Sequence, residues 1–176
     1  MPGEKIFAFE EVLDAADMTT YFVQQQVVMK IVDESVTSST TLQDDNELQF
    51  AVDANTRYTI EFFLIYNTLA AADLKAQYTV PAGASLTWVS DGIASGTTVT
   101  VDTVSRTAQF IGSTPPAHGG VEVPAATPVD MIAFHKGLLT IGATAGTLKL
   151  QWAQQVSSAT ATYIRANSTM ILTRIT

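Results

Sequence analysis

The sequence predicts an all-β protein, an antiparallel β-sandwich or jelly roll that carries a short α-helix near its N terminus. About ten short segments with strand patterns follow one another closely, which is typical of sandwiches and barrels. Turn residues such as Pro, Gly, Asn and Asp separate many of these segments. Helical spacing of apolar residues is convincing in one place only.

The one predicted helix covers residues 14–26. Asp14 is a suitable N-cap, and apolar residues before it and at the fourth helical position match a hydrophobic staple. A helix of about twelve residues is marginal by itself, so its apolar stripe must rest on the protein's own sandwich or on a neighbouring subunit. We therefore divide the chain into an N-terminal docking segment, residues 1–34, and a sandwich domain, residues 35–176. The predicted docking residues are Leu13, Met18, Tyr21, Phe22, Val27 and Val28.

The strand patterns begin after the helix. Residues 27–32 form a β-branched run, and residues 48–52 alternate with period two. The strongest strand is 57–66, where the alternation gives way to a continuous apolar run. Such a run is typical of a strand that is buried on both faces or that faces a partner. The candidates for sheet-to-sheet packing or for an oligomer interface are Tyr58, Phe62, Phe63 and Tyr66.

Shorter strands follow, separated by recognisable turns. Residues 112–128 form a Gly- and Pro-rich loop, and residues 142–146 indicate a hairpin turn. The predicted strands lie at 74–80, 85–89, 98–104, 107–111, 129–134, 137–141, 146–155, 160–165 and 168–175.

The composition is unusually poor in charge. Charged residues make up 15% of the chain and hydrophobic residues 47%, whereas about a quarter of an average domain is charged. Either Thr and Ser cover the surface, or other subunits bury a large part of it. The net charge of −8 and the scattered basic residues disfavour nucleic acid and anionic membranes as partners. The absence of cysteine excludes disulfides and thiolate metal sites.

No catalytic set is legible, so we expect a non-enzymatic protein without cofactor or metal. His118 beside two glycines indicates an exposed loop residue, and His135 before Lys136 and Gly137 indicates a strand end or turn. Neither histidine has a legible Ser or Asp partner of the kind that a catalytic triad requires.

Two further features have competing interpretations. The acidic residues 44–47 favour a turn before the next strand; the alternative, a Ca²⁺ site, lacks the EF-hand spacing. Trp88 and Trp152 lie in alternating segments, which favours burial. In the alternative, a glycan-binding module, these rings or that of Tyr163 would stack on sugars.

Two stretches of the chain resemble structural proteins of tailed phages, especially phages of actinobacteria. Residues 5–28 are similar to a family opening that runs val-phe, small residues, glu-val-leu, thr-ala-ala-asp, val-asn, tyr-leu, then gln and val-met. The chain departs from it at Phe9, Thr19 and Thr20. The second stretch, 146–175, resembles a leucine-x-trp-ala-gln strand followed by a val-arg-ala-gly-ser turn and a last strand. Its matching residues here are Leu150-Gln151-Trp152-Ala153-Gln154 and Ile164-Arg165-Ala166-Asn167-Ser168.

With the strand from Tyr58 to Leu64 and the turn Pro81-Ala82-Gly83-Ala84, this ending is also similar to trimeric jelly-roll knobs of the tumour-necrosis-factor and C1q type. The resemblance implies a virion protein, assembled in the bacterial cytoplasm, that binds the major capsid protein or other virion proteins as a homo-oligomer, a trimer in that type of knob. A capsid decoration or minor capsid protein is the function we expect. A minor tail or baseplate protein is the alternative.

Overall fold

The computed structural model describes residues 24–93, 106–111, 117–118, 122–123 and 127–175, and the side chains of 24–93 and 129–175. The predicted helix up to residue 23 and the strand predicted at 98–104 lie outside these ranges. The described part is all β and antiparallel, without any helix that could cross a membrane. Its strands are β1 (Gln25–Met29), β2 (Glu34–Val36), β3 (Gln43–Val52), β4 (Arg57–Asn67), β5 (Leu74–Thr79), β6 (Ser85–Ile93), β7 (Arg106–Ile111), β8 (Ala117–His118), β9 (Glu122–Val123), β10 (Thr127–Pro128), β11 (Asp130–Thr140), β12 (Gly146–Gln154), β13 (Thr162–Ile164) and β14 (Thr169–Arg174).

The strands form two packed sheets, as the predicted sandwich requires. The large sheet has the order β1-β14-β4-β11-β6-β7, with β13 joining β2 to the end of β4. The small sheet has the order β3-β12-β5-β8, and β9 pairs with β10 apart from both. Consecutive strands β3 to β6 alternate between the two sheets, which is the connectivity of a jelly roll rather than of a meander.

The core lies between the inner faces of the two sheets. On β4 every second side chain points inward, so that Tyr58, Ile60, Phe62, Leu64 and Tyr66 are almost fully buried. The inner side chains of β12 meet them from the small sheet, with Trp152 completely enclosed. The period-two pattern that predicted these strands therefore arises because alternate side chains point into the core between the two sheets.

The prediction of a hairpin turn at residues 142–146 is wrong. The strand before it, β11, pairs with β4 and β6, whereas β12 pairs with β3 and β5. The link therefore crosses from one sheet to the other. Backbone hydrogen bonds fasten its start, since Ile141 N donates to Thr56 O and Asn55 N donates to Gly142 O. A turn signal shows where a strand stops, but not which sheet receives the next one.

The two strands predicted at 129–134 and 137–141 are one continuous strand, β11. The break expected before Gly137 is absent, and this glycine lies inside the strand, where the backbone of β6 comes close to it. A Cβ added at Gly137 would lie 2.7 Å from Thr87 O and 2.8 Å from Trp88 Cβ. Glycine is needed here for close approach of a neighbouring backbone, a recognised use of glycine within strands.

The described start of the chain belongs to the sandwich. β1 pairs along its whole length with β14, and β2 pairs with β13. Residues 25–36 are therefore strands and links of the large sheet, although the predicted docking segment extends to residue 34. Gln25 and Gln26, expected at the end of the helix, lie in β1.

Candidate functional site

The outer face of the large sheet is the most conspicuous surface of the described chain. On β11 the outward side chains Ile132, Phe134 and Leu138 are 45%, 44% and 46% exposed. On the adjacent β4, Phe63 and Ile65 also point outward and are half-buried. We call this surface the assembly face and define it by Phe63, Ile65, Val89, Ile132, Phe134, Leu138, Ile171 and the charged residues Glu61 and Lys136.

The strand register groups these residues into rows across the sheet. Phe63 lies opposite Phe134, and their rings meet edge to face with centroids 5.3 Å apart. Ile65 lies opposite Ile132 in the next outward row. Aromatic and branched side chains stacked across strands stabilise the sheet, but here they also leave a flat apolar surface in contact with water.

Two opposite charges lie in the middle of the face. Lys136 and Glu61 are cross-strand partners, and Lys136 Nζ lies 3.7 Å from Glu61 Oε1. Their side chains are 64% and 56% exposed. The neighbours in the same row are Ile171 on one side and Val89 on the other. Apolar residues thus flank the ionic pair within its own row, whereas the adjacent rows also hold Asp91 opposite Phe134 and Thr59 and Thr87 opposite Leu138.

The edge of the sheet adds a second exposed apolar group. Val27 and Met29 of β1 are 57% and 52% exposed, and Ile31 and Val32 in the following link are 74% and 59% exposed. We call these four residues the apolar edge. Val28, the other described residue of the predicted docking set, is half-buried and packs against the core.

A buried lysine holds the apolar edge in place. Lys30 lies between Met29 and Ile31, and its ammonium is enclosed by the carboxylates of Glu34, Asp45 and Glu47 at 2.9, 3.0 and 3.5 Å. Burial opposes the charge of Lys30, but hydrogen bonds to Glu34 and Asp45 outweigh it and raise its pKa. The ammonium therefore stays protonated and fixes the main chain on either side.

Glu47 also acts on the backbone of the apolar edge. Its carboxylate accepts hydrogen bonds from Ile31 N at 3.0 Å and Val32 N at 3.4 Å. The hydrogen bond from Ile31 is the main reason why the pKa of Glu47 lies below its ordinary value. Two apolar side chains are thus presented to solvent by a backbone that is itself hydrogen-bonded.

This arrangement corrects the turn predicted at residues 44–47. These residues lie in β3, with an irregular register opposite β12. Asp44 pairs with Lys149 at 2.8 Å, and Asp45 accepts hydrogen bonds from the main-chain N–H groups of Glu47 and Leu48. The acidic residues here have partners both in the link after β1 and on β12, and Asp45 in addition makes local hydrogen bonds to the main chain just ahead of it.

The four aromatic interface candidates divide between the two faces of β4. Tyr58, Phe62 and Tyr66 point inward and pack within the chain, and Phe63 alone points out onto the assembly face. Burial raises the pKa of Tyr66 above its usual range. The candidates Leu13, Met18, Tyr21 and Phe22 lie outside the described residues.

The prediction for His135 as a strand end or turn is wrong. His135 is buried in the middle of β11, among the rings of Phe62, Tyr78 and Trp88. Its Nδ1 is hydrogen-bonded to the Tyr78 hydroxyl, and burial raises the pKa of that tyrosine. His118 falls in the short strand β8, although its side chain is outside the described set.

The three rings considered for sugar stacking are buried or covered by a neighbouring side chain. Trp152 is fully buried and Trp88 nearly so, so neither ring presents a face to a ligand. The ring of Tyr163 is covered by the Arg165 guanidinium, whose Cζ lies 4.4 Å from the ring centroid. Within the described residues, no group of three or more His, Asp or Glu side chains is arranged to hold a metal ion.

Several residues of the candidate site could not be predicted from the sequence. Lys30 looked like an ordinary polar interruption in a β-branched run, and its partners are four to seventeen positions away. The outward side of β11 was missed because both faces of this strand carry apolar residues. No local signal marked this face, since residues 130–141 carry Asp130 and Lys136 and are no poorer in charge than the rest of the chain.

No protein-family model matches the chain, and no curated protein matches it either. Among solved structures, the chain is similar to three of infectious bursal disease virus. The Gx strain structure is 11% identical, with 98% of this chain and 42% of that chain covered and a TM-score of 0.23. The VP2 subviral particle is 12% identical, with 86% of this chain and 40% of that chain covered and a TM-score of 0.21. The Gt strain structure is 13% identical, with 98% of this chain and 40% of that chain covered and a TM-score of 0.22. The chain thus spans about two fifths of those chains, and TM-scores of this size do not demonstrate a common fold.

Proposed function

We propose that this chain is a structural protein of a virus particle, namely a tailed-phage decoration or minor capsid protein that binds the assembled shell as an oligomeric knob. The observation that carries the proposal is the assembly face. Soluble monomers rarely expose contiguous apolar surface beyond a few hundred Å², and larger patches mark interaction sites. The phage assignment itself comes from the sequence resemblance at residues 5–28 and 146–175.

Two surfaces have separate roles in this proposal. The assembly face joins copies of the chain to one another, for which the threefold knob implied by the resemblance is the expected geometry. The apolar edge, together with the chain that precedes Gln24, docks on the major capsid protein or another virion protein. A ligand that binds only the assembled lattice raises the stability of that lattice by mass action.

The tail or baseplate is the alternative location within the same class of function. Both locations use the same surfaces, so copy number per particle separates them. Quantitative mass spectrometry of purified particles would give hundreds of copies for a capsid decorator. A tail protein would be present in a few to tens of copies.

We also propose that the chain has no catalytic role and binds no cofactor. In support, the one histidine whose side chain is described lies in the core beside Tyr78. The acidic residues of β3 are engaged with Lys30 and Lys149. Burial of Trp88 and Trp152 also supports a role other than glycan binding, since neither ring can stack on a sugar.

The proposed function is tested by returning the tagged protein to particles that were assembled without it. We expect the wild-type chain to sediment with the particles, and a variant with Ile31→Ser and Val32→Ser to bind them at least about tenfold more weakly. Val156→Ser is the matched control, because Val156 is 56% exposed but belongs to neither surface: it follows β12 of the small sheet, where its N–H donates to Ala72 O. Failure of the wild-type protein to join any particle would contradict the proposal.

A further inference from the structure

Glu61 and Lys136 lie in the central row of the assembly face. The row runs Ile171, Glu61, Lys136, Val89 across strands β14, β4, β11 and β6. The rows on either side hold Phe63 with Phe134 and Thr59 with Leu138. Any surface that covers the apolar residues must therefore cover this pair as well.

Within one chain this pair is too loose to be buried alone. The Nζ to Oε1 distance of 3.7 Å is longer than a hydrogen bond, and an exposed pair of this kind contributes little stability. Removing water from two charges that satisfy each other incompletely is costly. A purely apolar partner would impose that cost, so the partner must carry charges of its own at this place.

A second copy of the chain provides those charges through symmetry. Each copy presents a carboxylate and an ammonium one strand apart, at a spacing of about 4.8 Å. In a closed symmetric assembly, the Lys136 ammonium of one copy can approach the Glu61 carboxylate of the next, and the charges then alternate in sign. The flanking row with Phe63 and Phe134 and the flanking row with Leu138, Thr59 and Thr87 then meet the matching rows of the other copy.

We propose that Glu61 and Lys136 form salt bridges between copies of this chain, and that this exchange fixes how the assembly faces meet. The inference rests on the proposed function, because it takes the assembly face as the contact between copies. It identifies a second copy of the chain as the partner that covers the assembly face, and Glu61 and Lys136 as the two residues that select this partner.

The size of the face agrees with a stable self-contact. Four strands spaced about 4.8 Å apart are about 19 Å wide, and eleven residues of β4 are about 36 Å long. That gives roughly 700 Å² per copy, within the range that a specific interface buries on each partner. Of the other outward charges, Arg57 and Asp130 lie at strand ends, where interfaces carry their polar rim, and Asp91 lies opposite Phe134 on β6.

Charge reversal of the full chain tests the inference. Sedimentation equilibrium and native mass spectrometry would compare wild type, Glu61→Lys, Lys136→Glu and the double reversal. Each single reversal places like charges together, so we expect self-association at least about tenfold weaker. The double reversal restores opposite charges and should bring the Kd back to within a few-fold of wild type. A mixture of the two single variants should form mixed oligomers.

The matched control is the pair Asp44 and Lys149 on the small sheet, at 2.8 Å and likewise partly exposed. Reversing that pair should leave the Kd of self-association unchanged, and circular dichroism would verify that all variants are folded.

The outcomes separate this inference from the proposed function. Single reversals without effect, or a double reversal that stays dissociated, would overturn the salt-bridge exchange. A wild-type chain that is monomeric at every concentration but joins particles would overturn the self-contact and leave the virion role standing. Oligomers that respond to charge as expected but never join particles would support the exchange and contradict the virion role.

Discussion

The ammonium of Lys30 lies 3.0 Å from both carboxylate oxygens of Asp45, and neither side chain has any solvent exposure. This pair connects the link after β1 to β3, which belongs to the opposite sheet. The main chain of Lys30 is also bonded to the turn before β14, through Ser168 O and Asn167 N. Through its side chain and its main chain, Lys30 thus joins the link after β1 to β3 and to the turn before β14.

Removal of one partner of this pair should destabilise the protein severely. Lys30→Met leaves the Asp45 carboxylate buried without its cation, and we expect a loss of about 3–5 kcal/mol in the free energy of unfolding. Urea denaturation measures it. The control is Lys149→Met, which breaks the exposed pair with Asp44 and should cost at most about 1 kcal/mol. Equal costs for the two variants would contradict the buried role of Lys30.

Acid should weaken the attachment of the apolar edge. The pKa of Glu47 is lowered in the folded state, chiefly by the hydrogen bond from Ile31 N. Its contribution to stability is therefore complete above its ordinary value of 4.5 and is lost as the pH falls below that value through the folded pKa.

Urea denaturation between pH 6 and pH 3 measures this effect, and Glu47→Gln should show a shallower decline than wild type. Some decline remains in that variant, because the pKa values of Asp33 and Asp44 are also lowered, mainly by hydrogen bonds from the Ala166 backbone and from Lys149. Parallel declines for wild type and Glu47→Gln would refute the contribution of Glu47.

Truncation should locate the boundary of the sandwich. Deletion of residues 1–22 retains β1 and Lys30, and we expect a cooperative thermal transition close to that of the full chain. Deletion of residues 1–34 removes β1, which pairs with β14, and also removes Lys30, the cation that neutralises Asp45. This variant should therefore be unfolded or aggregated. Circular dichroism melts compare the two. A stable, soluble product from the longer deletion would show that β1 is dispensable to the fold.

Gly137→Ala should strain the centre of the large sheet. The added methyl group would meet the Thr87 carbonyl oxygen at 2.7 Å, and backbone cannot move aside as a side chain can. We expect a loss of about 3 kcal/mol, at the upper end of overpacking. Gly83→Ala is the comparison: it has open space around the new Cβ but a φ of +75°, and should cost about 1 kcal/mol. Similar losses in urea denaturation would show that close approach at Gly137 is not the constraint.

The local sequence was sufficient for the fold class and for most strands. The alternation at residues 57–66 identified β4, and the alternating segment around Trp152 predicted its burial. Period two is a property of each strand by itself, so it can be observed without knowing the partner. The pattern did not separate the inner from the outer residues of β4, because its apolar run made Tyr58, Phe62, Phe63 and Tyr66 equal candidates and only Phe63 points outward.

Contacts between distant segments were decided only in three dimensions. The crossing at residues 142–146, the continuity of β11 through Gly137, and the burial of Lys30 and His135 all depend on strands far away in the chain. The assembly face is of the same kind, because it forms only when β14, β4, β11 and β6 lie side by side. A sequence determines which side chains alternate, whereas the sheet order determines which of them meet, since pairing joins residues that no local pattern relates.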